Sequence, residues 1–257
     1  MNDIVKINKT REVLRTIMDI RNHDTSGMPM YSDDEIRKML ESSSELTGDP
    51  QKKYNAQLCN FIIPHKTFPK WKTHVSYFNF PDGGGNSTNI SRMKIENLIG
   101  DIYEHNNKED NVIIILPTGT STARDTYINW IDSINMNSKN TNFSNPDDYS
   151  DLTKEIINKP DKEYSLRHLH NIQIFHINAL SINILEHDFV PKHEKITNEK
   201  DIKNILDQYH VELKSQFPVI QKHDAVAEIL GFVPGDLAKI TRHSVSSGYS
   251  LFYRICK

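Results

Sequence analysis

Apolar residues recur every three or four positions in "KTREVLRTIMDIRN" (9–22). There Val13, Leu14, Ile17, Met18 and Ile20 predict a helix that Thr10 is placed to cap. A second helix is announced by Ser32 and Glu35, the spacing of a capping box, followed by Ile36, Met39 and Leu40. Two apolar runs, "QLCNFIIP" (57–64) and "HVSYFNF" (74–80), each end at a proline and predict strands. The glycine-rich "PDGGGNST" (81–88) predicts a turn or loop, and residues 89–105 an amphipathic helix lined by Ile90, Met93, Leu98 and Ile102. Val112 to Leu116 is a continuous, largely β-branched run, as in a strand covered on both faces. The small polar loop 117–122 leads into a helix bearing Ala123, Tyr127, Trp130, Ile131 and Ile134, so this is a strand–loop–helix unit. "IQIFHI" (172–177) restores a strand, and "NALSINILE" predicts a short helix.

The pattern then changes. Val190-Pro191 predicts an elbow, Thr197 a cap for a helix lined by Ile202, Ile205, Leu206 and Tyr209, and "QFPVI" a short extended piece. "DAVAEILGF" reads as a short helix closed by Gly231 at the position after its C-cap. Pro234-Gly235 suits the centre of a type II turn, and "DLAKITR" and "YSLFYRIC" alternate as the arms of a closing hairpin. Leu237, Lys239 and Thr241 should share one face, Ala238, Ile240 and Arg242 the other, while Tyr249, Leu251, Tyr253 and Ile255 share a face of the second arm. The predicted fold is α/β in its first part and α+β overall. An α/β domain over 1–184 carries a polar, Asn/Ser/Asp-rich surface insertion near 135–170, and a small mixed α/β domain spans 185–257.

Composition narrows the functional classes. The 257 residues are 37% hydrophobic and 25% charged, which suits a packed soluble chain. No apolar run reaches the roughly 20 residues a membrane helix needs, no secretory leader is expected at the N-terminus, and no membrane partner is expected. Cys59 and Cys256 lie far apart with no C-x-x-C spacing, which disfavours a disulfide framework or a thiolate zinc site and fits a reducing compartment. Net charge is −3; residues 185–257 hold 10 Lys/Arg and 10 Asp/Glu, and the first 184 hold 21 and 24. A chain that grips nucleic acid alone presents a basic face, so DNA contact here is expected to be local and assisted by a partner. Asn makes up roughly one residue in eleven, which with many Ile and Lys residues points to an AT-rich coding genome rather than to an activity.

Candidate chemistry is sparse. The loop "LPTGTST" follows a buried strand and could present backbone N–H groups to a phosphate, but it has one glycine and no GK[ST] lysine, which excludes a Walker A site. It also suits an ordinary βα loop with Thr120 or Ser121 as N-cap. Glu186, His187, Asp188, His193 and Glu194 crowd together near His168, His170 and His176, yet Pro191 interrupts any helical ligand spacing, and no metal is expected. Asp110 precedes the 112–116 strand, but no E-x-K strand follows it, so a magnesium nuclease has only half its signature. No nucleophile elbow appears, and neither a catalytic residue nor a cofactor is expected.

The C-terminal residues carry a more specific signal. "EHDFVPKH", "QFPVI" and "HDAVAEILGFVPGDLAKITRHSVSSGYSLFYRIC" together resemble the assembly domain of the fifth subunit of eukaryotic-type DNA-directed RNA polymerases, a family with archaeal members. The matching positions are His187, Val190, Pro191, His193, Pro218, Ile220, Asp224, Val226, Ala227, Gly231, Gly235, Lys239, Ile240, Arg242, Ser244, Gly248, Tyr253 and Arg254. Ala225 and His243 stand where the family has proline, and Val245 where an acidic residue is usual. The first 184 residues resemble the family's jaw domain more weakly, through "TREVLRTIMDIRNHDTSGMPMYSDDEI" and "NVIIILPTGTSTA".

The resemblance implies a non-catalytic subunit that docks on the largest polymerase subunit, among other polymerase subunits. Docking would use His187, Val190, Pro191, His193, Lys239, Arg242, Ser244, Gly248, Tyr253 and Arg254. It also implies that Thr118, Gly119, Thr120, Ser121 and Thr122 lie near downstream double-stranded DNA, with weak contact inside the complex. The chain is expected in the nucleus if cellular. If it is encoded by a large DNA virus, the expected place is the virion or a cytoplasmic factory of the host cell. The competing readings are a nuclease-like enzyme built on the N-terminal α/β domain and a free-standing DNA-binding regulator.

Overall fold

The computed structural model describes residues 3–47, 56–78, 80, 92–117, 121–159 and 164–257. The class is α+β, and the chain forms two units, Met1–Ser144 with Leu169–Ile182, and Asn145–His168 with Asn183–Lys257.

The first unit is built on strand β3 (Asn111–Leu116), whose residues 112–116 are all buried. It pairs in parallel with β2 (Lys72–Tyr77) on one side and β4 (Ile172–His176) on the other, and β1 (Phe61–Pro64) adds antiparallel to β2. A strand flanked on both edges and covered on both faces has no polar side to show, which is why its sequence is one apolar run. On one face Val112, Ile114 and Leu116 pack with Ile172 and Ile174 against Ile95 and Ile99 of α3 (Arg92–His105) and Ile131 of α4 (Ser121–Asn142). The other face meets α1 (Asp3–Ile20), where the Thr10 hydroxyl lies 2.9 Å from that of Tyr77.

Several expectations change in detail. α1 begins at Asp3, so Thr10 is an interior residue that donates to the Ile7 carbonyl at 2.7 Å and not a cap. α2 (Asp33–Thr47) does open with the capping box: the Ser32 N–H donates to Glu35 at 2.7 Å, and the Glu35 N–H to the Ser32 hydroxyl at 3.4 Å. The buried face of α3 is Ile95 and Ile99; Met93 is 67% exposed, and Ile90, like loop 81–88, lies outside the described residues. The run 57–64 is a 3-10 turn over Ala56–Cys59 before the strand, and "NALSINILE" is two 3-10 turns and not a helix.

The described part of the polar segment near 135–170 is largely helical. Its first part continues α4, and Asn135 turns inward. The Asn135 side chain donates to the Ile172 carbonyl at 3.0 Å and accepts the Ile172 N–H at 2.9 Å, so a carboxamide satisfies backbone groups that a neighbouring strand otherwise would. Its second part forms α5 (Asp151–Asn158), capped by Ser150, with Leu152 and Ile156 buried, and groups with the second unit. The chain therefore passes between units at 144/145, 168/169 and 182/183.

The second unit holds a sheet in the order β5 (Lys192–Ile196), β7 (Leu237–Ser244), β8 (Gly248–Cys256), β6 (Val219–Ile220). One face, through Leu237, Tyr253 and Ile255, packs on Ile202 and Ile205 of α6 (Glu199–Gln208) and on Phe217. The opposite face, through Ala238 and Cys256, packs on Val226 and Ala227 of α7 (Ala225–Ile229), Leu230 and Phe232. The N-cap of α6 is Asn198, which accepts from the Lys200 N–H at 2.9 Å, one residue beyond the expected Thr197. Among the described residues no helix is long and apolar enough to cross a membrane.

Asp110 is fully committed within the first unit. One carboxylate oxygen accepts the Lys72 N–H at 2.9 Å, and the other meets His74 Nε2 at 2.9 Å, so it pins β2 to the start of β3. Asp110→Ala is expected to destabilise this unit by about 2–3 kcal/mol, since it strands a buried imidazole. Both tryptophans, Trp71 and Trp130, lie in this unit, so urea unfolding followed by tryptophan fluorescence reads the loss directly. An unchanged midpoint contradicts the assignment.

Candidate functional site

The C-terminal hairpin is aimed by two consecutive backbone devices. α7 ends in a Schellman closure: the Phe232 N–H reaches the Ala227 carbonyl at 2.9 Å and the Gly231 N–H the Glu228 carbonyl at 3.1 Å, with Gly231 at φ 67°. Three residues later the Asp236 N–H donates to the Val233 carbonyl at 3.0 Å across Pro234-Gly235, a type II turn with Gly235 at φ 93°. The positive φ is what demands glycine here; a Cβ on Gly235 would also sit 2.7 Å from Arg167 Nη1, and the arginine side chain would have to yield.

These turns deliver Asp236 into the interior with no exposed surface. One carboxylate oxygen accepts from His168 Nε2 at 2.8 Å and faces Arg167 Nη2 at 3.3 Å. The other meets Lys195 Nζ at 2.8 Å and accepts the Val233 N–H at 3.0 Å. Lys195 also donates to the Gly231 carbonyl at 2.9 Å, and Lys214 to the Gly235 carbonyl at 3.2 Å. Burial alone would raise the Asp236 pKa, but Lys195 and His168 outweigh it and hold the carboxyl well below the usual range. Burial pushes His168 down to about 4, and Lys195 adds to the effect against the opposing pull of Asp236. The neutral ring agrees with the geometry, because His168 Nδ1 accepts the Ser165 N–H at 3.1 Å.

Beyond this anchored end, the hairpin runs out of cover. Val245 is 100% and Tyr249 71% exposed, and Leu251 and Phe252 are also exposed. Arg242 lies over the Phe252 ring at 5.0 Å. Phe189, in the loop before β5, is 91% exposed, with its N–H donating to His187 Nδ1 at 3.2 Å.

The residues singled out from sequence separate by role. His187 and Arg242 are exposed, and Ser244 sits at the hairpin tip, where its hydroxyl lies 3.2 Å from that of Ser246. Lys239 is half-buried and paired with Glu194 at 3.1 Å. Val190 packs against the α7 core, Pro191 leads into β5, and His193 bonds the Pro191 carbonyl at 2.6 Å. Tyr253 is a core residue against Tyr209 and Phe217, Gly248 opens β8, and Arg254 donates to the Val219 carbonyl at 3.0 Å. Thr118, Gly119 and Thr120 lie outside the described residues, and Ser121 and Thr122 open α4.

Comparison with known proteins falls on this same unit. Residues 182–256 match the family described as RNA polymerase Rpb5, C-terminal domain. The DNA-directed RNA polymerase subunit Rpo5 of Methanosarcina barkeri is 44% identical over 73 residues, which is 28% of this chain and 91% of that protein. The chain belongs to the Rpb5/Rpo5 family. The Archaeoglobus fulgidus Rpo5 is 37% identical over 76 residues, 30% of this chain and 97% of that protein. The rpabc1 subunit of DNA-directed RNA polymerases I, II, and III from Dictyostelium discoideum is 35% identical over 94 residues, 37% of this chain and 47% of that protein.

Reading the sequence missed Asp236, Arg167, Lys195 and Phe189 as site residues; His168, weighed as a metal ligand against a structural hydrogen-bonding histidine, is the latter, with Asp236 as its partner. Asp236 had one legible sign, an acid directly between a Pro-Gly turn and an apolar strand. Its partners Arg167 and His168 come from a segment whose polarity disguised its burial.

The cluster makes the second unit acid-sensitive. A histidine whose folded pKa lies below its unfolded value supplies stability fully above the unfolded value and loses it as pH falls. For His168 that window runs from 6.5 down to about 4, and Asp236, also depressed, extends the loss below roughly pH 4. His168→Gln, which can still donate to Asp236, is expected to flatten the stability profile between pH 6.5 and 4. Asp236→Asn should cost about 3 kcal/mol at neutral pH by removing the carboxylate that neutralises the Lys195 charge. Thermal unfolding followed by far-UV circular dichroism, with the fluorescence-detected first unit subtracted, measures both; a His168→Gln profile as steep as wild type refutes the assignment.

Proposed function

We propose that this chain is a non-catalytic subunit of a multisubunit DNA-directed RNA polymerase. Its second unit docks on the largest subunit, and its first unit, the jaw, lies near downstream duplex DNA through residues 118–122. The observation that carries the reading is a coincidence of place. The family match spans 182–256, the part of the chain whose hairpin is rigidly anchored at one end and bare, aromatic and cationic at the other. An anchored strand pair with exposed Tyr, Phe and Arg has the composition of an interface core rather than of a solvated surface.

The net charge of −3 fits a subunit whose DNA affinity comes from the assembled enzyme. The nuclease alternative loses its one candidate, because both carboxylate oxygens of Asp110 are taken by protein donors. The work of such a subunit belongs in the nucleus of a cell, or in a cytoplasmic factory for a virus.

Lys239 already neutralises Glu194, so the cleaner probes of docking are Phe189 and Arg242. The double variant Phe189→Asp, Arg242→Glu is expected to fold with an unchanged unfolding midpoint. It should recover at least about tenfold less of the largest polymerase subunit than wild type when the tagged chain is purified from its native source. Equal recovery would move the docking surface elsewhere.

A further inference from the structure

The second unit's sheet is left unfinished along one edge. β7 pairs with β8 from Leu237–Ile255 out to Ser244–Gly248, whereas β6 covers β8 only at Ile255 and Cys256. The direction of each β8 backbone group follows from two bonds. The Cys256 N–H donates to the Asp236 carbonyl on the β7 side at 2.8 Å, and the Ile255 N–H donates to the Pro218 carbonyl on the β6 side at 2.9 Å. Strand alternation then turns the N–H and C=O of Leu251 and Tyr253 toward the open edge. The Tyr249 N–H is spoken for by the Ser247 carbonyl at 2.8 Å, and no bond to the outward groups of Leu251 or Tyr253 occurs among the described residues. The chain before β6 cannot extend the cover, because Pro218 has no N–H to give and residues Lys214–Gln216 turn away in a 3-10 turn.

The side chains flanking this edge define the occupant further. On one face the Arg242 guanidinium lies over the Phe252 ring at 5.0 Å, and Arg254 follows two residues along the strand. Neither arginine has a carboxylate within ion-pairing distance among the described residues; Arg254 spends one nitrogen on the Val219 carbonyl at 3.0 Å. Exposed Tyr249 and Leu251 offer apolar contact on the other face. Unpaired main-chain groups in strand geometry call for an extended main chain, and two uncompensated guanidiniums call for carboxylates.

We propose that β8 accepts, along Tyr249–Tyr253, an extended acidic segment of a partner polymerase subunit as an added strand. The segment contributes about five residues, or ~17 Å, with its main chain bonded to Leu251 and Tyr253 and its acidic side chains over Arg242 and Arg254. The proposal rests on the reading of this chain as a polymerase subunit and specifies how it is held.

Hydrogen exchange compares the isolated full chain with the chain inside polymerase purified through it, with fragmentation that assigns the Leu251 and Tyr253 amides. Both amides are expected to exchange rapidly in the isolated chain and at least about 100-fold more slowly in the complex. A paired experiment compares Leu251→Pro, which removes the outward N–H and spares the β7 bonds, with Leu251→Thr, which keeps it. The first should recover at least about tenfold less polymerase than the second. If Leu251→Pro does not fold, the exchange measurement decides alone.

If polymerase co-purifies and the two amides stay fast, strand addition is overturned while the subunit reading stands. If no polymerase subunit co-purifies with the wild-type chain, the subunit reading falls and this proposal with it. Protection that grows with the concentration of the isolated chain would assign the edge to a second copy and overturn the proposal.

Discussion

A carboxylate with no exposed surface must be matched or it unfolds its surroundings, and the second unit is organised around matching one. Asp236 draws on three separate stretches of chain: Arg167 and His168 before the first crossing back, Lys195 on β5, and the Val233 backbone in its own turn. Those contacts explain features that look unrelated in sequence. Gly231 and Gly235 take the positive φ of 67° and 93° through which the chain brings the Gly231 carbonyl to Lys195 and Asp236 beneath Arg167. The polar segment 145–168 belongs to this unit because it brings two of the acid's partners.

An ion cluster of this kind is weak evidence for net stability, since well-packed apolar residues can do as well. Its effect here is geometric. Lys195 pulls β5 toward the turn and Asp236 fixes the first residue before β7, so strand register is set where the two cores meet. From that point the sheet is gripped on one face by α6 and on the other by α7, and the grip ends near Thr241 and Tyr253. The first unit shows the opposite economy. There β3 is enclosed on both edges and both faces, and Asp110, its only buried acid nearby among the described residues, is spent on holding β2.

How much of this was legible in the sequence depended on whether the signal was local. The capping box at Ser32 and Glu35, the enclosed strand at 112–116, the glycine closure at 231 and the type II turn at 234–235 each depend on a few neighbouring residues, and each is found where the pattern puts it. The failures involve distant partners. Arg11, which the apolar spacing of α1 did not single out, is fully buried, donating to the Cys59 and Pro29 carbonyls at 2.6 and 2.5 Å between the rings of Tyr31 and Phe61. Asn135 and His168 sit in a stretch that composition marks as surface, and both are interior because each finds one distant polar partner. At the candidate site, the family pattern located the hairpin, and the structure adds where each of its residues sits. Tyr253, Gly248 and Arg254 hold the hairpin together, whereas Phe189, outside the matching positions, is the most exposed aromatic of the loop that enters the unit.

An uncovered strand edge is a hazard that isolated proteins blunt with lysines, prolines or bulges. In this unit two prolines stand ahead of the flanking strands and none lies on β8. Pro191 precedes β5 and Pro218 precedes β6, while the edge from Tyr249 to Tyr253 carries no lysine, no proline and no bulge in its register with β7. The same stretch shows aromatic rings and guanidiniums to solvent. Such a surface is costly for a chain that lives alone and natural for one that lives in an assembly, where the partner supplies the missing strand and charges. The rigidity created around Asp236 then has a use beyond stability, because an added strand binds tightly only if the edge it joins is already in strand geometry.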